Sequence, residues 1–265
     1  MLINQKPLTS ILIKPAGPDC NLACEYCFYL SKSEMFGSNK IHHMELIVVE
    51  ELIHQALDQD IELVTFIWQG GEPTLMGLDF YTQVIHFQEQ YGKGQIIGNS
   101  FQTNGILIDN QWAQFFKKYN FLVGLSIDGP EYIHNYYRRQ SGGRGTYQKV
   151  VDSVNILLDY GVEVNTLTVV NNYSTQFPEE IYTFHKQLGL TYMQFIPCVE
   201  TDPSDQLQYA PFSVEPENYG EFLCRLFDLW TSDFVDGKPT TSIRYFDSLF
   251  YHYVELEPPE CTLTT

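Results

Sequence analysis

The chain has 265 residues, of which 44% are hydrophobic and 15% aromatic, enough to bury the core of one barrel-sized globular domain. Its 33 acidic residues outnumber 15 basic ones, and the resulting net charge of −18 argues against a nucleic-acid partner because it repels phosphate backbones. No apolar stretch is long enough to span a bilayer, and the N-terminus lacks the pattern of a secretory signal.

Apolar residues repeat with two alternating periodicities along the chain. Runs typical of strands occupy residues 11–14, 63–68, 96–102, 122–127, 164–169 and 193–196. Between them, apolar residues recur at helical spacing over residues 49–57, 112–119 and 147–158. Gly161 is expected to end the third of these helices, and another helix is expected between Pro178 and Gly189. Such alternation predicts repeated βαβ units and a parallel sheet.

The segment CNLACEYC places Cys20, Cys24 and Cys27 within eight residues. Thiolates select zinc or iron–sulfur clusters, and a cluster normally takes four such ligands. Three thiols from one loop therefore leave a coordination position open, as catalytic metal sites do. On the cysteines alone, a zinc site completed by His42 or His43, or three unrelated buried thiols, are alternatives. Clustered thiolates favour a reducing cytoplasm over a disulfide-forming compartment.

Polar residues follow several of the predicted strands. The segments 69–73 (QGGEP), 103–105 (TNG) and 126–130 (SIDGP) each come where a strand ends, and the cysteines follow the first strand. Parallel sheets and barrels bind their ligands at this edge. Each segment alone could be a turn, because glycine and proline are common in turns. Their shared position predicts one binding site at a single rim.

The cysteine spacing resembles that of the radical S-adenosylmethionine enzymes, in which three cysteines hold a 4Fe–4S cluster and S-adenosylmethionine binds the remaining iron. The resemblance implies that Tyr26 contacts the adenine and that Gly71 and Glu72 hold the methionyl amino group. A glycine permits close approach of the backbone, and a carboxylate suits an ammonium group. The implied fold is α/β, a partial (β/α)6 TIM-like barrel over residues 1–210.

Residues 101–150, which contain SIDGP and HNYYR, and the segment QFIPCVE (194–200) after the sixth predicted strand are similar to the anaerobic sulfatase-maturating enzymes. This resemblance implies that Ser126, Arg138 and Val199 contact S-adenosylmethionine, with the guanidinium clamping the methionyl carboxylate. It also implies that Gln69 touches the substrate. These enzymes use a 5′-deoxyadenosyl radical to oxidise a sulfatase cysteine or serine to Cα-formylglycine. The implied partners are a peptide or unfolded sulfatase and an electron donor such as flavodoxin or ferredoxin.

The resemblance implies a helical linker over residues 211–265 that leads into a truncated SPASM region, the part that binds auxiliary 4Fe–4S clusters. Cys261 stands where the first auxiliary-cluster ligand would be, and the expected general base would lie beyond Thr265, so no catalytic residue is assigned. The chain is then a fragment or a natural truncation. SPASM-type enzymes that crosslink ribosomal peptides or form thioethers in them are an alternative, as is an inactive metal-binding barrel.

Overall fold

The computed structural model describes residues 7–30, 41–202, 205 and 207–256. Within these residues, seven parallel strands form one sheet in chain order. The strands are β1 (Ser10–Ile13), β2 (Leu63–Trp68), β3 (Ile96–Thr103), β4 (Phe121–Ser126), β5 (Glu163–Val170), β6 (Tyr192–Pro197) and β7 (Ser242–Ile243). The helices are α1 (Leu46–Leu57), α2 (Gly77–Tyr91), α3 (Asn110–Lys118), α4 (Glu131–Tyr137), α5 (Tyr147–Asp159), α6 (Pro178–Gln187), α7 (Pro216–Ser232) and α8 (Arg244–Tyr253).

Two helices end at glycines in the left-handed conformation. Gly161 has φ of 66° after α5, and the Val162 N–H donates to the Leu157 carbonyl at 2.9 Å. Gly189 has φ of 78° after α6, which begins at Pro178. A residue with a β-carbon would be strained in this conformation, and the extra hydrogen bond satisfies a carbonyl at the helix end. Both predicted helix ends are confirmed.

The helices cover one face of the sheet and bury its apolar side chains. Along β2, Val64, Phe66 and Trp68 are fully buried in the main core, whereas the alternating Thr65 and Ile67 are half-buried on the opposite face. Complete burial of each large apolar side chain contributes roughly 1.5–3 kcal/mol. The face away from the helices, the inner face, is therefore the one free to bind a ligand.

The predicted parallel α/β architecture is confirmed, but the sheet has seven strands among the described residues, one more than the six predicted. The seventh strand, β7, has two residues and pairs with β6 through Tyr192 and Met193. Two residues are too few to show the alternation that identifies a strand in a sequence. The sheet thus includes residues beyond 210, while the predicted division into a barrel and a linker stays a prediction.

His185 on α6 is buried between the helix and the sheet. Its Nε2 and the Thr168 Oγ1 are 2.9 Å apart, and because that hydroxyl donates to the Ile127 carbonyl, the imidazole must be the donor. Burial lowers the pKa of His185 from 6.5 to about 3. Between these two pH values the imidazole is protonated in the unfolded chain but not in the folded chain. The free energy of unfolding therefore falls as the pH drops from 6.5 towards 3.

We accordingly expect His185→Gln, which keeps a donor but cannot titrate, to lose less stability on acidification than the wild type. Urea unfolding at about pH 7 and about pH 5 measures the difference. The matched control is His86→Gln at an exposed position of α2, which should follow the wild type. Equal pH dependence of the wild type and His185→Gln would contradict the assignment.

Candidate active site

The three cysteines lie on the loop after β1, residues 14–28, which we name the cysteine loop. Main-chain hydrogen bonds hold it on two sides. The turn 70–72 donates two N–H groups to it, at 2.8 and 2.7 Å. On the other side, the N–H groups of Ala23 and Glu25 donate to carbonyls of the segment 137–139, at 2.9 and 3.0 Å. The turn after β2 and the segment at the end of α4 therefore determine where the thiols lie.

Gly71 allows the turn after β2 to pack against the cysteine loop. A β-carbon at this position would lie 2.0 Å from the Asp19 carbonyl oxygen, which belongs to the backbone and cannot rotate away. We expect Gly71→Ala to lower the free energy of unfolding by at least about 3 kcal/mol, the upper range for overpacking. Gly220→Ala, on an open position of α7, should raise it by about 0.5–1 kcal/mol because alanine favours the helix. Urea unfolding measures both.

One cavity of about 350 Å³ opens where the strands end at their carboxyl termini. It gathers the predicted site residues from the cysteine loop and from the segments after β2, β4, α4 and β6: Cys20, Tyr26, Cys24, Cys27, Gln69, Gly71, Ser126, Arg138 and Val199. Glu72 does not line this cavity, and Cys261 lies outside the described residues. A larger cavity of about 560 Å³ lies at the opposite ends of β2 and β3 and has no thiol in its lining.

Glu72 is fully buried, and its carboxylate already accepts four hydrogen bonds. Oε1 accepts from the Thr74 N–H, the Thr74 hydroxyl and the Thr103 hydroxyl, at 3.0, 2.6 and 2.8 Å. Oε2 accepts from the Asn104 N–H at 2.7 Å. Burial raises the pKa of this carboxyl, and these donors oppose the rise. The carboxylate ties the turn after β2 to the end of β3, and its contact with a methionyl ammonium stays a prediction.

A buried ionic network lies beneath the cavity and connects three loops. The Tyr26 hydroxyl donates to Asp128 Oδ2 at 2.5 Å and accepts from Arg138 Nη1 at 2.9 Å. Asp128 Oδ1 lies 3.8 Å from Arg138 Nη1 and accepts the Val169 N–H at 3.1 Å. Burial raises the pKa of Asp128, and the adjacent guanidinium opposes this rise. Sequence reasoning did not assign Asp128, although its position just past β4 was the available signal.

His134 holds the backbone of Arg138 through a directed relay. The Asp128 N–H donates to His134 Nδ1 at 3.3 Å, so Nε2 carries the proton and donates to the Thr146 hydroxyl at 2.9 Å. Thr146 in turn donates to the Arg138 carbonyl at 3.1 Å. Burial keeps the pKa of His134 well below its ordinary value, so the imidazole stays neutral. Its Nδ1 then remains an acceptor and its Nε2 remains a donor.

The donor set on the cavity walls fits a 4Fe–4S cluster with an anionic organic ligand. Cys20, Cys24 and Cys27 share one wall, and three different iron atoms of a cluster can take one thiolate each. Arg138 lines the cavity, and its buried Nε has no hydrogen-bond partner among the described residues. This N–H is a donor, so it favours an acceptor-rich ligand. Burial raises the pKa of Cys20 to about 11, so metal binding must release the proton.

A mononuclear zinc site does not fit the same region. Within residues 7–30, 41–202 and 207–256, no three His, Cys, Asp or Glu side chains are grouped so that they could hold one metal ion. His42 is paired with Asp19: its Nδ1 lies 2.7 Å from Asp19 Oδ1, and its N–H donates to Asp19 Oδ2 at 2.8 Å. His43 is exposed to solvent. The zinc alternative is therefore not supported.

Comparisons with known proteins agree with this geometry. Residues 15–184 match the radical SAM superfamily. The chain is 42% identical over 256 residues to the cysteine-type anaerobic sulfatase-maturating enzyme of Clostridium novyi, covering 96% of this chain and 68% of that protein. It is 38% identical to the serine-type enzyme of Bacteroides thetaiotaomicron, covering 97% and 65%.

Among solved structures, native anSMEcpe with bound AdoMet superposes with a TM-score of 0.86 at 38% identity, covering 96% of this chain and 68% of the other. The chain thus spans about two thirds of the length of these relatives. The cofactors of the superfamily are the 4Fe–4S cluster and S-adenosylmethionine, which the cavity fits. The chain belongs to the radical SAM superfamily and, within it, to the anaerobic sulfatase-maturating enzymes.

Proposed function

We propose that this chain takes part in the oxidation of a cysteine or serine in a sulfatase peptide to Cα-formylglycine. The observation that carries the proposal is the cavity itself. Three thiols on one wall lie in the same cavity as a buried arginine whose Nε has no partner among the described residues. An amino acid bound to the cluster would use both features at once. The thiolates would hold the cluster, and the arginine would pair with the carboxylate of the amino acid.

Each side chain has a proposed task. Cys20, Cys24 and Cys27 bind the cluster, which together with S-adenosylmethionine supplies the 5′-deoxyadenosyl radical when bound. Arg138 orients the methionyl carboxylate through its free Nε edge, because Tyr26 occupies Nη1. The remaining contacts with S-adenosylmethionine are assigned to Tyr26, Gly71, Ser126 and Val199. Gln69 contacts the substrate.

Replacing Arg138 with alanine is expected to raise the dissociation constant of S-adenosylmethionine about 10- to 100-fold, the effect of losing a charged hydrogen bond. Arg138→Lys should be intermediate, since it keeps the charge and loses the planar fork. The neighbouring Arg139→Ala is the matched control, because that side chain is exposed and its Nε donates to the Asn135 carbonyl. Equilibrium dialysis of cluster-loaded protein measures the affinity, and wild-type affinity in Arg138→Ala would contradict the assignment.

Anaerobic reconstitution with iron and sulfide, followed by reductant and a cysteine-containing sulfatase peptide, tests the function. We expect 5′-deoxyadenosine to form only with reductant. An aldehyde in the peptide, detected by mass spectrometry, is expected where an auxiliary cluster accepts the second electron and a base accepts the proton. A crosslinked or thioether product would instead assign the chain to peptide-crosslinking enzymes. No 5′-deoxyadenosine from a cluster-loaded sample would indicate an inactive barrel. Running the serine peptide in parallel distinguishes the two maturase types.

The proposed partners follow from this chemistry: an unfolded sulfatase or peptide, and a low-potential electron donor such as flavodoxin or ferredoxin. The proposed location is the cytoplasm, where the thiols stay reduced. Among the described helices, none has the length and apolar character required to cross a membrane. Auxiliary 4Fe–4S clusters, with Cys261 as a ligand, are proposed only for a chain that continues past Thr265.

A further inference from the structure

The inner face of the sheet carries four side-chain amides that form no hydrogen bond with the described residues. The strand register places Gly124 of β4 between Gln102 of β3 and Asn165 of β5. Gln194 lies on the neighbouring strand β6, and Gln69 directly follows β2. Within the described part of the chain, no hydrogen bond engages the side chain of any of these four residues. We name them the amide row.

The orientation of the amide row follows from the alternation of side chains along the strands. Val169 and Ile196 line the cavity at the carboxyl ends of β5 and β6. Asn165 shares a strand face with Val169, and Gln194 shares one with Ile196, so both amides point to the inner face. The intervening Phe195 is instead buried in the helix-covered core. Gln69 and Gln102 line the cavity itself.

An amide on the opposite face is fully paired within the chain. Asn99 of β3 faces the core, where its Oδ1 accepts from Trp68 Nε1 at 2.9 Å and from Gln88 Nε2 at 3.0 Å. Its Nδ2 donates to Gln88 Oε1 at 2.9 Å. On the inner face, by contrast, a β-carbon on Gly124 would lie 3.2 Å from Gln102 Cγ, so the glycine makes room for an amide that has no hydrogen bond to the part of the chain that the structure describes.

A carboxamide offers two N–H donors and one carbonyl acceptor, the same groups that a peptide main chain presents. Strand alternation places the partly exposed Leu122 and Ile196 on the same face as the amide row, so a ligand filling this face displaces water from the amides. The ligand must then form hydrogen bonds with the amides, because amides buried without partners cost binding free energy. An extended segment meets this demand with its free N–H and C=O groups, whereas a helix or a paired strand has already used them.

We propose that Gln69, Gln102, Asn165 and Gln194 recognise the main chain of the substrate and select an extended segment whose backbone is unpaired. This inference rests on the proposed function and deepens it, because it explains how an unfolded polypeptide is distinguished from a folded one. Side chains beside the modified residue contribute little, since the row pairs with groups common to every residue. Gln102, Asn165 and Gln194 are the new assignments.

The test measures binding without chemistry. A fluorescein-labelled extended peptide with one central cysteine is titrated with cluster-loaded, S-adenosylmethionine-bound protein in the absence of reductant, and its anisotropy is followed. The triple variant Gln102→Met, Asn165→Leu, Gln194→Met should raise the dissociation constant at least about tenfold. Methylating the peptide amides on both sides of the cysteine should weaken binding to the wild type similarly, but should not weaken binding to the triple variant further. Gln111→Met, at an exposed position of α3, should bind like the wild type.

Circular dichroism confirms that the triple variant is folded, which its half-buried positions should allow. Three results would overturn the proposal: wild-type affinity in the triple variant, an equal effect of amide methylation on both proteins, or no measurable peptide binding by the wild type. Main-chain-dependent binding without 5′-deoxyadenosine or an aldehyde product would leave this inference standing and refute the proposed function. An aldehyde product from a protein whose peptide binding does not depend on the amide row would support the proposed function and refute this inference.

Discussion

Replacing Cys20, Cys24 and Cys27 together with alanine is expected to abolish the iron–sulfur absorbance of the reconstituted protein and to reduce its bound iron to background. The three thiols share one cavity wall, and each supplies one of the ligands that a cluster needs. S-adenosylmethionine cannot replace three lost thiolates, because it occupies only the position that the protein leaves open. Visible absorbance and iron content of the anaerobically reconstituted protein measure the effect.

The matched control is Cys224→Ala. This thiol is exposed on α7, and its loss should leave both measurements unchanged. A full cluster in the triple variant would place the metal centre elsewhere in the chain. Loss of the cluster in Cys224→Ala would show that the described cavity does not contain all of the ligands.

Removal of the Asp128 carboxylate should produce the largest loss of stability among the site variants. Asp128→Ala leaves the Arg138 guanidinium buried without its anionic partner, and breaking a buried ion pair in this way costs about 3–5 kcal/mol. The Tyr26 hydroxyl and the Val169 N–H lose their acceptor at the same time. Urea unfolding of the cluster-free protein measures the change, and Asp128→Asn separates loss of charge from loss of volume.

An exposed ion pair provides the comparison. Glu179 and Arg225 form a pair in which both side chains are about half exposed, so Glu179→Ala should change stability by less than about 1 kcal/mol. A similarly small effect of Asp128→Ala would mean that the network beneath the cavity does not stabilise the fold.

Local patterns in the sequence were sufficient to predict six of the seven strands and to group the three cysteines in one loop. Each predicted strand has enough residues to show its periodicity, and the three cysteines are close in sequence, so their spacing already indicates one loop. Where the local pattern was short or polar, prediction failed. The two residues of β7 have no measurable period, and α2 begins with a glycine after a 3₁₀ turn, which conceals its start.

The roles of Asp128 and Glu72 could not be predicted, because their partners are distant in sequence. Asp128 accepts a hydrogen bond from Tyr26, 102 residues away, and another from Val169, 41 residues away. Glu72 accepts from Thr103, 31 residues away. Before folding, each is only a carboxylate beside a turn. Only the three-dimensional contacts show that one carboxylate holds a buried arginine and that the other closes a turn.

The hydrogen bonds that fix the cysteine loop have a consequence for the order of events in the cell. The loop is anchored by the turn 70–72 and by the segment 137–139, which the ribosome makes long after Cys27. Chains emerge and fold from the N-terminus, so the thiols are synthesised early but acquire their arrangement only once β4 and α4 are in place. Iron delivery to this protein is therefore a late step, and a nascent chain shorter than about 140 residues offers the assembly machinery three unorganised thiols rather than a site.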